Sequence, residues 1–387
     1  MRYIKQKDII IILIIYLIIQ IIFQINNVTL LTEIIKPIFW LIFLGYLIYK
    51  NYKFYHRLPN NKSYTIKMLI VTTIYFIIYF YLGFILGFTE SPYNHSINGI
   101  LKNSFQMIIP LIGIEISRSL VVNSNKENFK IIILITTILF IIELNFNMII
   151  PILSQPEIFF KYIAHTIIPL FCNSLLFTFL TLKGSYQLPL IYRIMDRLIV
   201  IILPVYPSTN WFAISALGII VPVTYYLLFK YVFTNRQHNN RKRKKINKIS
   251  LITAILISIT LVSFMLGLFK YEPVAILSNS MLPRYSRGDI VIYEKMDKSR
   301  LQNITKNSII IYRIGNQTVA HRVVNVIQEN EKILYETKGD NNNTVDSALV
   351  STEQILGVYR CHFKYIGYPS VWLNEFFIKE KAKVETK

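Results

Sequence analysis

Charge of either sign is scarce in this 387-residue chain. Asp, Glu, Lys and Arg together make up 16% of it, where a soluble domain carries about 25%. Too little polar side chain remains to cover a water-facing globule, which excludes a purely cytosolic enzyme. The hydrophobic share of 53% excludes a disordered chain. Acids are the scarcest charged group, with 21 Asp and Glu against 42 Lys and Arg. Cysteine is nearly absent. Cys172 lies in an apolar run and Cys361 far from it, so the sequence offers no disulfide framework and no metal-ligand spacing. Neither a metal nor any other cofactor is expected.

What is present is long apolar runs, and a mean hydropathy of +0.44 reflects them. A membrane span takes about 20 apolar residues. Candidate spans fall near residues 9–26, 31–49, 67–88, 105–122, 129–150, 160–182, 187–206, 211–233 and 249–269. The first is longer than the apolar core of a secretory signal and no small-residue cleavage site follows it, so it is expected to stay in the protein. The basic excess follows the same division. Residues 1–270 hold 26 basic and 8 acidic residues, whereas 271–387 hold 16 and 13. A net charge of +21 could suggest a nucleic-acid partner, but positive charge set between apolar runs reads as an orientation signal instead. No nucleic-acid binding is expected.

The connecting loops alternate in charge. The amino-terminal tail carries Arg2, Lys5 and Lys7. The second loop holds Lys50, Lys53, Arg57, Lys62 and Lys67 without an acid, and the eighth holds Arg236, Arg241, Lys242, Arg243, Lys244, Lys245 and Lys248. Odd-numbered loops are balanced or uncharged. The positive-inside rule then puts the amino terminus in the cytoplasm and residues 271–387 outside. Spans two, four and seven are the weak ones, because they contain Glu33 and Lys36, Glu115 and Arg118, and Arg193, Asp196 and Arg197. Losing two of them together preserves the sidedness. Glu115, Glu143, His165 and Asp196 could form a polar site within the bundle. The plainer expectation is local pairing, Glu115 with Arg118 and Asp196 with Arg193 or Arg197.

The texture changes after Lys270. Short alternating or β-branched runs occur at 288–293, 308–314, 318–327, 332–338 and 354–366, separated by turn formers such as Gly315 and Asn316. They predict a small all-β domain. The expected organisation is a polytopic region of about eight spans over 1–248, a final anchor at 249–269, a β domain at 271–366 and a tail at 367–387.

Three segments of this domain carry chemistry. L-S-N-S-M-L-P-R-Y-S-R-G-D, residues 277–289, sets two hydroxyls one residue apart on a tight loop. Such a hydroxyl can serve as a nucleophile, with a backbone N–H and the second hydroxyl facing a developing oxyanion. It can equally be an ordinary Ser/Asn/Pro turn. A-H-R-V, residues 320–323, places one histidine on a strand, either as core or as the base a serine needs. T-K-G-D-N-N-N-T-V-D, residues 337–346, is a turn with two carboxylates. Asp340 or Asp346 can orient the histidine, while a calcium loop is disfavoured because the acid spacing lacks an EF-hand's alternation and terminal Glu.

As an ordered set, S-x-S-M-x-P with a following G-D, then H-R-V, then T-K-G-D-N-N with a later Asp resembles the signal peptidase I family. The likeness is to its Ser–His branch, typical of the endoplasmic reticulum, archaea and some Gram-positive bacteria. It covers about residues 271–366. The resemblance implies Ser280 as nucleophile, His321 as general base and Asp346 as triad acid. It further implies Asp340 as a second required carboxylate bracing the turn or the base, and the Ser280 N–H with the Ser278 hydroxyl as oxyanion hole. Gly288 and Asp289 are expected to be structural. Two features depart from the family: the long bundle, where members usually have one or two anchoring helices, and Asn279, where many relatives have Gly. The implied activity is removal of signal peptides from exported preproteins at the outer face of the plasma membrane, with the lipid bilayer and the export translocon as further partners. The rival reading is a polytopic transporter or scaffold whose exported domain is peptidase-like but non-catalytic.

Overall fold

A computed structural model describes residues 6–26, 34–55, 62–209, 211–238, 269–296, 303–315, 317–329, 332–368 and 370–372, with Thr260, Leu301 and Glu375. The chain divides into two units, 1–262 and 263–387.

The apolar runs of the first unit become helices: α1 (Gln6–Ile25), α2 (Lys36–Tyr55), α3 (Lys62–Leu86), α4 (Ile97–Ser124), α5 (Phe129–Ile142), α6 (Phe146–Ile152), α7 (Pro156–Tyr162), α8 (Ile168–Lys183), α9 (Gln187–Ile202) and α10 (Trp211–His238). Polar residues start them where the runs begin. The Ser96 hydroxyl accepts the Gly99 N–H ahead of α4, and the Asn128 side chain accepts the Ile131 N–H ahead of α5. α7 and α8 are joined through a π-helical turn, Ile163–Ile167, into one segment. Two cores hold the unit. One gathers Leu13, Trp40, Leu120 and Leu139 from α1, α2, α4 and α5. The other gathers Met68, Leu180, Tyr192 and Phe229 from α3, α8, α9 and α10. Isoleucines 15, 18 and 22 of α1 point outward, as on a helix whose surroundings are apolar on every side.

Helix occurs at each of the first eight expected spans, but they are not equal. Among the described residues, five segments are long and apolar enough to cross a membrane: Gln6–Ile25, Lys62–Phe84, Ile97–Ser124, Pro156–Lys183 and Ala213–Thr234. α5 and α6, expected as one continuous span, are bent by 74° and count as a sixth only if taken together. α2 and α9, the second and seventh expected spans, do not qualify. Those are two of the three the charges marked as weak. The ninth expected span, 249–269, lies outside the described residues except at Thr260 and Phe269.

The bundle's charges pair across helices as well as locally. Arg118 Nε donates to Glu115 Oε2 at 3.1 Å, one turn away on α4, as expected. Arg193 of α9 does not pair with Asp196. It reaches Glu115 Oε1 at 2.6 Å and Glu143 Oε2, at the end of α5, at 2.7 Å. Arg118 Nη1 also donates to Thr178 Oγ1 at 2.9 Å on α8. Two arginines and two glutamates thus neutralise one another where unpaired charge would be costly. Of the four groups considered for an intramembrane site, Glu115 and Glu143 share a partner. His165 instead contacts the Thr166 hydroxyl at 2.7 Å, and Asp196 lies 3.8 Å from Arg197.

A short ribbon ties two loops of this unit. β1 (Phe88–Glu90) pairs antiparallel with β2 (Val205–Pro207), Thr89 opposite Tyr206.

The second unit is a seven-stranded antiparallel sheet: β3 (Tyr271–Ala275), β4 (Ile290–Lys295), β5 (Ile309–Ile314), β6 (Gln317–Glu329), β7 (Lys332–Lys338), β8 (Val350–Ser351) and β9 (Ile355–Phe363), in the order β3-β4-β9-β5-β6-β7-β8. β5 shows how the sequence builds it. Side chains alternate faces with period two, so Ile310 and Tyr312 enter one core and Ile309 and Ile311 another. All four are buried, which is why I-I-I-Y reads as a continuous apolar run. Of the residues expected as a tail, those described at its start still pack: the Gly367 N–H bonds the Gly288 carbonyl at 2.9 Å, and Val371 is buried.

Candidate active site

The serine segment is the connection between β3 and β4. Its stem is closed by two backbone bonds, Ile276 N–H to the Asp289 carbonyl and Gly288 N–H to the Ile276 carbonyl, both 2.9 Å. Met281 and Tyr285 anchor it into the core beneath β4 and β5. Asp289, almost fully buried, accepts the Ser286 N–H at 2.8 Å and the Tyr365 N–H at 3.1 Å. Gly288 has φ +90°, a conformation that favours glycine. Both residues therefore have the structural part expected of them. Asn279 takes no left-handed backbone, and its side-chain oxygen accepts the Arg287 N–H at 2.9 Å. The residue that departs from the family pattern thereby braces the loop.

His321 lies on β6 opposite Ile310 of β5, and is nearly buried. Its Nε2 is 3.1 Å from Ser280 Oγ, and its Nδ1 is 2.6 Å from Asp346 Oδ2. Ser278 Oγ sits 3.2 Å from Ser280 Oγ. The structure thus brings four of the five expected residues into one line: Ser278, Ser280, His321, Asp346. With Nδ1 carrying its proton toward the carboxylate, Nε2 is free to accept from the serine.

Asp340 stands apart from that line. Both its oxygens are held by Arg322, Nε to Oδ1 at 2.7 Å and Nη2 to Oδ2 at 2.6 Å, and this pairing holds the Arg322 guanidinium above its ordinary range. Arg322 also donates to the Asn307 carbonyl at 2.9 Å. The turn carrying Asp340 presses on the serine loop: the Asn341 N–H bonds the Ser280 carbonyl at 2.7 Å. A β-carbon at Gly339 would stand 2.8 Å from that same carbonyl oxygen, so only glycine allows the approach.

Two further residues were not anticipated from the sequence. The Thr337 hydroxyl donates to Asp346 Oδ2 at 2.6 Å, and the Tyr312 hydroxyl to the same oxygen at 3.1 Å. Tyr312 is buried, and burial pushes its hydroxyl well above the ordinary phenol range, keeping it a donor. Three donors converge on one carboxylate oxygen. Their sequence signal is faint, since Tyr312 reads as a core residue and Thr337 as the end of a strand.

A small antiparallel β domain carrying a Ser–His–Asp line thus shares one chain with apolar helices of membrane length. Comparison with known proteins finds similarity over part of the chain. The chain is 31% identical over 94 residues to signal peptidase I W of Bacillus subtilis, covering 24% of this chain and 48% of that protein. It is 31% identical over 111 residues to the signal peptidase complex catalytic subunit SEC11 of Metarhizium acridum, covering 26% and 63%. Against the corresponding subunit of Schizosaccharomyces pombe it is 27% identical over 127 residues, covering 27% and 67%. No family model matches. About a quarter of this chain is thus related to signal peptidase I, and it spans about half the length of the bacterial relative.

Proposed function

We propose that this protein is a membrane-bound serine endopeptidase that removes amino-terminal signal peptides from exported preproteins. The observation that carries the reading is the continuous contact from Ser280 Oγ through His321 to Asp346. Ser280 Oγ attacks the scissile carbonyl carbon while His321 Nε2 takes its proton. The charge developing on the carbonyl oxygen meets the Ser280 N–H and the Ser278 hydroxyl. His321 then gives its proton to the leaving amine, an acyl-enzyme remains on Ser280, and water activated by the same imidazole releases it. No metal or cofactor enters these steps. Asp346 stabilises the imidazolium, and Asp340 braces the turn against the serine loop.

Placement at the membrane supports the substrate class. Ser280 follows Phe269, the end of the expected last span, by eleven residues, which keeps the nucleophile near the bilayer surface. Signal peptides present their cleavage sites there, after a short apolar segment and small residues. The loop charges put this domain on the outer face of the plasma membrane, with the translocon as a source of substrate.

The test is cleavage of a labelled preprotein by the purified full-length protein in detergent. Wild type should cut at the signal junction, and Ser280→Ala should abolish cutting without lowering the melting temperature. Cleavage by Ser280→Ala at the wild-type rate would overturn the assignment.

A further inference from the structure

The bundle contains a carboxylate that the Glu115 network leaves out. Asp196 sits on α9, and its one ion-pair contact among the described residues is Arg197 Nε at 3.8 Å, with both side chains about two-fifths exposed. Adjacent residues on a helix do not face each other, so Arg197 makes a poor counter-charge. An ionisable group set among apolar helices is a functional-site candidate by default.

Asp196 borders a cavity of about 330 Å³. Its walls include Tyr75 and Tyr79 of α3, Tyr192 of α9, Tyr206 of β2 and Asn173 of α8. Helical spacing assembles it, because Tyr75 and Tyr79 lie four residues apart, as do Tyr192 and Asp196. The Tyr75 and Tyr79 rings stack with centroids 6.1 Å apart, and Tyr192 is held edge-on by Tyr225 at 5.0 Å. Tyr206 is fixed by the β1–β2 ribbon. The Asn173 side-chain oxygen is buried without a hydrogen-bond partner among the described residues. Among the described residues, no lysine or arginine lines the cavity.

Aromatic faces, a carboxylate and an orphaned acceptor all favour a cation. One carboxylate beside tyrosines and an amide is too little anionic oxygen for calcium or magnesium, which favour several carboxylate and carbonyl ligands. An organic cation fits, since its carbon substituents meet the rings while its charge meets Asp196. We propose that this cavity binds an organic ammonium group, with Asp196 as counter-charge and the tyrosine faces as walls. The group can reach it from the headgroup of an amine-bearing phospholipid or from a small amine in water. The proposal concerns the bundle and stands apart from the peptidase reading.

The experiment uses the purified full-length protein in nonionic detergent. Native mass spectrometry compares retention of phosphatidylethanolamine with phosphatidylglycerol of the same acyl chains. A parallel melting series compares ethanolamine and choline chloride with sodium chloride. Preferential retention of phosphatidylethanolamine by about tenfold, lost in Asp196→Asn and kept in Asp196→Glu, identifies a lipid headgroup. A melting-temperature rise specific to the free amines, again lost in Asp196→Asn, identifies a small amine. Equal retention of both lipids by wild type together with no amine-specific shift overturns the proposal, and does so even if the variants fail to fold. A preference undiminished in a folded Asp196→Asn protein overturns it as well.

Discussion

Replacing Asp346 with Asn tests the most specific geometric feature of the site. The change keeps shape and removes charge. With 2.6 Å between His321 Nδ1 and Asp346 Oδ2, the charge centres of imidazolium and carboxylate stand about 4 Å apart. That interaction is worth about 4 kcal/mol at an effective dielectric of about 20, and about 1.4 kcal/mol is tenfold in rate. The loss in kcat is therefore about 10³-fold. The same change in a serine protease triad costs about 10⁴-fold because the amide reverses the imidazole tautomer. Here Thr337 and Tyr312 oppose that reversal. Amide oxygen at the Oδ2 position keeps all three donors satisfied, while nitrogen there forces both hydroxyls to turn. Asp346→Asn alone should thus stay near 10³, and adding Thr337→Val and Tyr312→Phe should move it toward 10⁴. Single-turnover cleavage of a labelled preprotein, with melting temperatures alongside, reads both effects. The reasoning fails if Asp346→Asn lies within threefold of wild type while Asp340→Asn is inactive and fully stable, because the two acids would then have exchanged roles.

Ser278→Ala removes one oxyanion donor and should cost about 10²–10³-fold in kcat with KM little changed, measured by steady-state cleavage. Asp340→Asn breaks a two-pronged Arg322 pair and should remove about 1.5–3 kcal/mol of stability, lowering the melting temperature together with the rate. Hydrogen bonds from Lys270 and Arg360 hold the Glu294 carboxyl below its usual range. A depressed carboxyl stabilises the fold above its unfolded pKa and loses that contribution as pH falls through the folded value. Melting temperature should therefore drop on acidification below the usual Glu range, and Glu294→Gln should flatten that part of the profile.

How much was legible depended on how local each signal is. Ser278, Ser280, His321 and the turn ending at Asp346 announce themselves because each lies in a short run whose polar residues interrupt an apolar or strand pattern. Tyr312 and Thr337 do not, since their meeting at Asp346 is set by the pairing of β5, β6 and β7. β3 escaped because Pro273 argues against a strand; it is tolerated since β3 is an edge of the sheet. The Glu115–Arg118 pair follows from one-turn spacing, whereas Arg193 finds Glu115 across 78 positions. The break between α5 and α6 falls where Glu143 and Asn145 interrupt an otherwise apolar stretch, too few polar residues to mark an end in a hydropathy window.

The Glu115–Arg193–Glu143 link also makes α9 dependent on its neighbours. α4 carries Glu115 already matched by its own Arg118. α9 has no such internal match. Its 16 residues rise only about 24 Å, short of a hydrocarbon core of about 30 Å, and Arg193 has no acid within a turn other than Asp196, which it does not use. Its counter-ions reside on α4 and α5, already synthesised. α9 therefore holds its place by charges that two earlier helices supply, and the acids of α4 and α5 are what make a short, arginine-bearing helix tolerable in an apolar bundle.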